Sequence, residues 1–223
     1  MNFFQRYLTR DYLCRRYWHS FYTGAWFLSR FRDKGFPQEV AAVYTQVKKA
    51  EEYCLYRLAR GLPDDAVALE IGSFHGASSM CLAAGMRGNQ RLYCVDTFYN
   101  DATAEAREDV FPVFEKNTRK YQNRIKVIRG FSGEVSDRVP ASLDFLFLDG
   151  DHSWEGARAD LRHYLPKMRA GGVLAMHDVR QPDTEMVFHR YVLPFEVERK
   201  VYLPNFYAGI CDYQKIGSHL NDG

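Results

Sequence analysis

The sequence lacks the features that typify disulfide-rich, membrane-spanning and nucleic-acid-binding proteins. Its five cysteines are odd in number, form no CxxC pair and fall mostly in apolar runs, which favours free thiols and a reducing, cytoplasmic setting. Charged residues break every apolar run short of the roughly 20 residues that span a bilayer, so we expect neither a transmembrane helix nor a secretion signal. The 30 basic and 28 acidic residues leave a net charge of only +2, so no overall field attracts nucleic acid.

The length and composition predict one main domain with an added segment. A chain of 223 residues that is 46% hydrophobic can bury one sizeable core but is too short for two full-sized domains. We expect a helical extension over residues 1–62 and a ligand-binding domain over residues 63–223. Within the extension, a second helix is predicted to begin at Pro37, which suits a first helical turn, and to end at Gly61.

Aromatic residues crowd the first 34 positions and are interleaved with arginines. We interpret this segment as a lid over the active site or as a contact in a homodimer. A peripheral membrane contact is the alternative hypothesis, because an aromatic and basic helix can also lie on a membrane surface.

The rest of the sequence alternates short apolar runs with helical stretches, which is typical of an α/β fold. Strands are predicted at residues 67–71, 92–95, 125–128, 143–148 and 173–176, and helices at 77–84, 104–121, 133–138 and 154–165. Two further strands, 197–203 and 207–213, are separated only by a turn and predict an antiparallel hairpin. The expected fold is therefore a doubly wound, seven-stranded, mostly parallel sheet with an antiparallel carboxyl-terminal hairpin.

Ligands of such a sheet bind beyond the carboxyl ends of its strands. The first strand runs into a loop from Glu70 to Gly76, in which Gly72 and Ser73 also lie and where the backbone can approach an anionic group. The second strand ends at Asp96, whose carboxylate can accept hydrogen bonds from both ribose hydroxyls of an adenosine-containing cofactor. The G-x-x-x-G spacing departs from the G-x-G-x-x-G fingerprint of dinucleotide sites and so disfavours NAD.

Ionisable residues follow the fourth and fifth strands of the predicted parallel sheet. Asp149, Asp151 and His152 come after the fourth strand, and His177 and Asp178 come at the end of the fifth. Such groups are costly to bury unless they are paired or bind a metal. Since the two strands end at the same edge, Asp149, His177 and Asp178 form a candidate divalent metal site. The alternative is that these side chains only cap helices and pair with arginines.

Two sets of motifs resemble known enzymes. The loop Glu70-Ile-Gly-Ser-Phe-His-Gly76 resembles motif I of class I S-adenosylmethionine-dependent methyltransferases. The segments LDGDHSWE and GGVLAMHD resemble bacterial methyltransferases related to macrolide-sugar O-methyltransferases and cephalosporin hydroxylase-like proteins, and more distantly the catechol and caffeoyl-CoA O-methyltransferases. The resemblance extends over about residues 63–213. It implies a Rossmann-like methyltransferase fold and O-methylation of a small hydroxylated molecule such as a sugar, a polyketide or a catechol-like ring.

The resemblance also implies how S-adenosylmethionine would bind. The glycine loop would hold the methionine part of the cofactor and Asp96 its ribose. Phe131 or Ser132, in the loop after the third strand, would contact the adenine. Glu70, at the start of the glycine loop, and Asp149 would border the same pocket.

A metal and a base are implied by the same resemblance. Asp149, His177 and Asp178 would bind a divalent cation, Mg or Mn, although the imidazole at position 177 also suits another transition metal. The metal would bind the substrate hydroxyl and lower its pKa. His152 or Asp151 would accept the proton, and a histidine can do so near neutral pH.

Two other functions remain open at this point. The chain could retain the S-adenosylmethionine pocket without catalysis, or it could be a hydroxylase-like relative with the same fold and site. The presence of both the glycine loop and a second polar cluster favours the methyltransferase, because a pocket used only for binding would need no such cluster.

Overall fold

The computed structural model describes residues 35–100 and 108–221, together with positions 17, 20, 21 and 24. The aromatic amino-terminal segment lies almost wholly outside the described residues, so its role as a lid, dimer contact or membrane contact stays a prediction. The boundary at residue 62 also stays a prediction. Among the described helices, none is long and apolar enough to cross a membrane.

Seven of the nine described strands form one mixed sheet, as predicted. The strands are β1 (Val67–Ile71), β2 (Arg91–Asp96), β3 (Tyr99–Asn100), β4 (Glu108–Asp109), β5 (Ile125–Arg129), β6 (Leu143–Leu148), β7 (Met168–His177), β8 (Glu196–Tyr202) and β9 (Phe206–Cys211). The sheet order is β5-β2-β1-β6-β7-β9-β8. The first five strands of this order, β5, β2, β1, β6 and β7, run parallel. Strand β9 pairs antiparallel with both β7 and β8. The short strands β3 and β4 form a separate antiparallel pair.

Helices cover both faces of the sheet. They are α1 (Lys49–Arg60), α2 (Ala77–Gly85), α3 (Phe111–Thr118), α4 (Trp154–Tyr164), α5 (Pro182–Val187) and α6 (Tyr213–Asn221). Because side chains alternate along a strand, Phe145 and Phe147 of β6 enter a core with α1, α2 and α3. Leu146 and Leu148 enter a second core with α4, α5 and α6. A strand buried on both faces reads as a nearly continuous apolar run, which is why β6 was predictable.

The predicted helix from Pro37 to Gly61 is wrong in its first half. Residues Gln38–Ala42 form a 3-10 helix, an extended turn follows, and α1 begins only at Lys49. The hydroxyl of Thr45 accepts a hydrogen bond from the Val47 N–H (3.0 Å), which stabilises the turn. The Lys48 N–H donates to the Glu51 carboxylate (2.7 Å), which starts a new helix there. The predicted end of the helix at Gly61 is confirmed.

Three other segments differ from the sequence prediction. The described part of the predicted 104–121 helix begins at Phe111, because the Asp109 carboxylate accepts the Phe111 N–H and Pro112 occupies the first turn. Residues 101–107 lie outside the described residues. The predicted 133–138 helix is a single 3-10 turn, Ser136–Arg138. Helix α6 was not predicted, although the Asp212 side chain accepts the Lys215 N–H at its start (3.1 Å).

Candidate active site

The carboxyl ends of β1 and β6 approach each other so closely that Gly72 is required between them. Gly72 has φ of +85°, and a Cβ atom there would lie 2.0 Å from the carbonyl oxygen of Asp149. Its N–H donates to the Val95 carbonyl (2.9 Å), and the Asp149 N–H donates to the Ile71 carbonyl (2.9 Å). The glycine loop, residues 70–76, is therefore bound to the same backbone that carries Asp149.

Asp96 lies at the end of β2 and binds the glycine loop directly. Its Oδ2 accepts the N–H groups of Ser73 (2.7 Å) and Phe74 (2.8 Å), and its Oδ1 accepts the Phe98 N–H (2.6 Å). Phe74 and Phe98 have positive φ, +45° and +54°, a conformation that costs a non-glycine residue energy. The structure brings Asp96 and the loop together. Of the about four acceptor positions of a carboxylate, one remains for a ligand, whereas accepting hydrogen bonds from both ribose hydroxyls would need two.

Glu70 has a different position from the other residues of the glycine loop. Its side chain is fully buried beneath the loop, where its Oε2 accepts hydrogen bonds from the hydroxyls of Ser73 (2.8 Å) and Ser79. Burial raises the pKa of Glu70 above its usual value, against the effect of these hydroxyl donors. Its geometry suits support of the loop, because the strand alternation that places Leu69 and Ile71 in one core turns Glu70 to the other.

The loop after β5 holds both residues expected near an adenine. Phe131 is 66% exposed at the edge of the sheet, so it is not a core residue. The Ser132 hydroxyl donates to the Asp160 carboxylate (2.5 Å), and the Tyr164 hydroxyl donates to the Ser132 carbonyl (2.5 Å). Burial raises the pKa of Asp160 to about 6. Asp160 and Tyr164 both come from α4, which therefore fixes this loop.

Two carboxylates and two imidazoles, those of Asp149, His152, His177 and Asp178, meet at the ends of β6 and β7; we call them the acid–imidazole cluster. His177 Nδ1 lies 3.0 Å from Asp149 Oδ1 and 3.3 Å from Asp178 Oδ2. His152 Nε2 lies 2.6 Å from Asp178 Oδ2 and 3.7 Å from Asp149 Oδ1. The predicted metal ligands and the predicted base are thus in mutual contact.

Asp178 is held in an unusual backbone conformation within the acid–imidazole cluster. It has φ of +52°, and its Oδ1 accepts a hydrogen bond from Asn205 Nδ2 (2.5 Å), just before β9. Although burial opposes it, the neighbouring imidazoles of His152 and His177 hold the pKa of Asp178 far below its usual range. Strain of this kind is retained where the surrounding structure fixes a functional side chain.

The same contacts raise the pKa values of both histidines. For His152, the carboxylates of Asp149 and then Asp178 raise the pKa to about 9. For His177, burial lowers the pKa, but Asp149, Asp178 and Glu51 outweigh it and raise the pKa to about 12. The carboxylates therefore favour a positive charge at the imidazole nitrogens that face them. A proton or a metal ion can supply that charge.

The acid–imidazole cluster fits a divalent cation. One ligand atom from each of Asp149, His152 and Asp178 lies within 4.8 Å of the others. His152 Nε2 and His177 Nδ1 are buried and close to carboxylate oxygens, yet neither makes a hydrogen bond of good geometry. A cation placed among these atoms would pair with both ring nitrogens and with the carboxylate oxygens. Mixed imidazole and carboxylate donors favour Mn, Fe, Co, Ni or Zn over Mg.

Asp151 lies apart from the metal-binding geometry. Its side chain belongs to an exposed residue, and its Oδ1 accepts the Ser153 N–H (2.8 Å) in the turn before α4. The Ser153 hydroxyl in turn accepts the Gly156 N–H (3.0 Å) and caps α4. Of the two predicted bases, the structure places His152 in the cluster and gives Asp151 a role in the turn.

Glu51 is a site residue that sequence reasoning missed. It comes from the first turn of α1, is fully buried, and its Oε2 lies 3.1 Å from His177 Nε2. The sequence analysis assigned no functional residue to this helix. The signal that could have revealed it is its spacing, four residues after Val47 and four before Leu55, which places a carboxylate on the apolar side of the helix.

Comparisons with known proteins agree with this architecture. A family model described as a methyltransferase domain matches residues 69–179, about half of the chain. Together with the strand order and the glycine loop, this match shows that the chain belongs to the methyltransferase family, in the class I group that uses S-adenosylmethionine.

The curated relatives and solved structures are distant. An uncharacterised protein of Sinorhizobium fredii is 27% identical over 116 residues, which are 49% of this chain and 13% of that protein. One from Acanthamoeba polyphaga mimivirus is 27% identical over 123 residues, which are 52% of each chain. The chain thus spans about half or less of these relatives. The O-methyltransferase TomG of Streptomyces achromogenes, solved with S-adenosylmethionine, has a TM-score of 0.59 and 16% identity, with 88% of this chain and 98% of TomG covered. That likeness shows the shared fold.

Proposed function

We propose that this chain transfers a methyl group from S-adenosylmethionine to a hydroxyl oxygen of a small molecule, with help from a divalent cation. The observation that carries the proposal is the acid–imidazole cluster, which lies directly beside the glycine loop through the Gly72 and Asp149 backbone contact. An enzyme that methylates oxygen has to hold both a methyl donor and a hydroxyl, and to remove the hydroxyl proton. The neighbouring sites supply these functions.

Cofactor binding is assigned to the glycine loop and its neighbours. The free acceptor position of Asp96 would take a ribose hydroxyl, and Gly72, Ser73 and Gly76 would border the methionine part. Phe131 has an exposed ring that can pack on the adenine, while Ser132 is held by α4.

Asp149, Asp178 and His177 are assigned as the metal ligands. His152, whose ring nitrogen also lies within 4.8 Å of both carboxylates, is the more exposed imidazole (34% against 2%) and is kept for the base. His177 is 2% exposed and faces both carboxylates from the buried side, so it is suited to a fixed ligand. The bound cation supplies Lewis acidity, which lowers the pKa of a coordinated hydroxyl. Of the four side chains of the cluster, that of His152 is the most exposed (34%), so a substrate would approach from its side.

His152 is assigned as the base. Its side chain is 34% exposed, and its Nε2 faces the acid–imidazole cluster. In the proposed transfer the substrate oxygen would bond to the methyl carbon, the carbon–sulfur bond would break to leave S-adenosylhomocysteine, and Nε2 of His152 would take the hydroxyl proton. The carboxylates of Asp149 and Asp178, which lie 3.7 Å and 2.6 Å from this nitrogen, would stabilise the imidazolium that results.

Calorimetric titration of the full chain with S-adenosylmethionine and with Mn²⁺ tests this proposal. We expect Asp96→Asn to weaken cofactor binding at least tenfold with little effect on the metal, because Asp96 serves the cofactor site, as ribose acceptor and as support of the glycine loop, and lies outside the acid–imidazole cluster. Asp149→Asn should abolish metal binding while the cofactor still binds. Asp151→Asn removes a nearby, exposed carboxylate and should change neither affinity.

Turnover then decides the reaction class. Transfer of labelled methyl from S-adenosylmethionine to a panel of sugars, polyketides and catechols should depend on the cation and fall steeply in His152→Gln. If the chain binds no S-adenosylmethionine under any condition, the proposal is overturned. Cofactor and metal binding without methylated product would favour the non-catalytic binder or the hydroxylase-like function.

A further inference from the structure

A buried carboxylate from outside the matched methyltransferase domain reaches the acid–imidazole cluster. Glu51 lies on the first turn of α1, whereas the domain match begins at residue 69. Its Oε2 accepts the Lys48 N–H (2.7 Å) and lies in hydrogen-bond contact with Nε2 of His177 (3.1 Å). The two residues are 126 positions apart in the chain, so the contact arises only from the packing of α1.

Burial makes this contact energetically significant. Glu51 has no exposed surface, and an isolated carboxylate is very unfavourable in such a place. Among the residues that the structure describes, His177 is the one ionisable partner within ion-pair distance of Glu51. The neighbouring buried glutamate, Glu52, pairs instead with Lys49 (3.0 Å). Glu51 therefore forms its ion-pair contact with His177.

The contact with Glu51 determines which ring nitrogen of His177 carries the hydrogen. Since Nε2 donates its hydrogen to Glu51, neutral His177 presents an unprotonated Nδ1 to Asp149 (3.0 Å) and Asp178 (3.3 Å). A lone pair opposite two carboxylate oxygens is repulsive unless a cation lies between them. Metal-binding histidines commonly have their second nitrogen hydrogen-bonded to a carboxylate, which fixes the tautomer and strengthens the ligand.

We infer that Glu51 is a positioning residue that makes His177 a metal ligand, an inference that rests on the metal site of the proposed function. Glu51 fixes the Nε2–H tautomer of His177 and orients its ring. Through this contact the start of α1 becomes part of the metal site. The metal affinity of the chain thus depends on a helix that precedes the matched domain.

Metal titrations of the cofactor-free full chain with Co²⁺ and Mn²⁺ test this role. Glu51→Gln keeps the shape but removes the charge, and we expect its metal affinity to fall about 10- to 100-fold. The visible absorption of bound Co²⁺ should shift, because the ligand field at His177 changes. Glu52→Gln is the matched control: it neutralises the next buried glutamate of the same turn and should leave metal affinity and spectrum unchanged. Cofactor affinity should stay within about twofold in both variants, as a check of the fold.

The histidine side-chain nitrogen resonances of the wild type with Zn²⁺ give a test that needs no variant. We expect His177 to show a protonated Nε2 and a metal-bound Nδ1. The opposite tautomer, or wild-type affinity and spectrum in a folded Glu51→Gln, would overturn the inference while leaving the metal site intact. Absence of metal binding by the wild type would overturn the metal part of the proposed function and the role of Glu51 with it.

Discussion

Gly72 illustrates how one residue can decide whether two strands form a site. Gly72→Ala should destabilise the protein in two ways. An alanine in the left-handed backbone conformation costs about 1–2 kcal/mol. Its Cβ would also lie 2.0 Å from the Asp149 carbonyl oxygen, so the backbone of one of the two strands would have to move. We expect stability to fall by about 2–5 kcal/mol and cofactor affinity to fall with it. Denaturant unfolding and cofactor titration measure both effects.

Gly171 offers the matched control for this prediction. It has a similar φ of +79°, but a Cβ there meets no atom within 4 Å. Gly171→Ala should therefore lose only the conformational part, about 1–2 kcal/mol, and keep its cofactor affinity. Equal losses in the two variants would show that the close approach to Asp149 has no energetic weight.

At the residue level, the sequence predicted the site residues that lie at the ends of strands and missed the one that helix packing brings to the site. Asp96, Asp149 and His177 could be placed together, because parallel strands bring their carboxyl ends to one edge of the sheet. Glu51 could not be assigned to the metal site, because no local sequence pattern predicts that α1 packs beside the end of β7. The buried position of Glu70 follows from strand alternation and was within reach of sequence reasoning.

At the level of elements, α4 acts as a support for the loop after β5. Asp160 accepts the Ser132 hydroxyl, and its pKa is raised to about 6 by burial. A carboxyl with a raised pKa holds more protons in the folded than in the unfolded state, so its contribution to stability is complete below about pH 4 and is lost as the pH rises through 6. Asp160 is therefore expected to destabilise the protein at neutral pH.

Asp160→Asn should remove this pH dependence. The amide oxygen can still accept the Ser132 hydroxyl, and we expect the variant to gain up to about 3 kcal/mol relative to the wild type between pH 4 and 7. Denaturant unfolding at a series of pH values measures the difference. Asp137→Asn, an exposed carboxylate in the segment that follows this loop, should show no such trend. A constant difference between Asp160→Asn and the wild type across this range would contradict the assignment.

The accuracy of the predicted elements follows their burial. Strands β1 and β6, both deeply buried, were predicted to the residue, and the ends of β2 and β5 were predicted within one position. Strand β7 was predicted only from residue 173, near the start of its buried part, and its more exposed first residues were missed. The helix predicted from Pro37 failed where Thr45 and Lys48 form local hydrogen bonds that compete with a continuous helix.

For the whole molecule, the central strands β1 and β6 connect the two binding sites. Backbone hydrogen bonds join Gly72 to β2 and Asp149 to Ile71, so the glycine loop and the first metal ligand move as one unit. The two apolar cores on either face hold these strands in place. Each ligand is thus expected to stabilise the entire cooperative structure and not only its own loop.

This leads to a prediction for thermal unfolding of the full chain. A ligand at 100 times its Kd that binds only the folded state adds about 2.7 kcal/mol, which for a chain of this size raises Tm by about 5–10 °C. S-adenosylmethionine and Mn²⁺ should each produce a shift of this size in the wild type, measured by calorimetry. In Asp178→Asn the metal shift should disappear and the cofactor shift should persist, because the polar partners of the Asp178 side chain are His152, His177 and Asn205, which lie outside the glycine loop. Loss of both shifts in Asp178→Asn, with the fold intact, would mean that the cofactor pocket itself depends on the cluster, contrary to the separate roles proposed for the two sites.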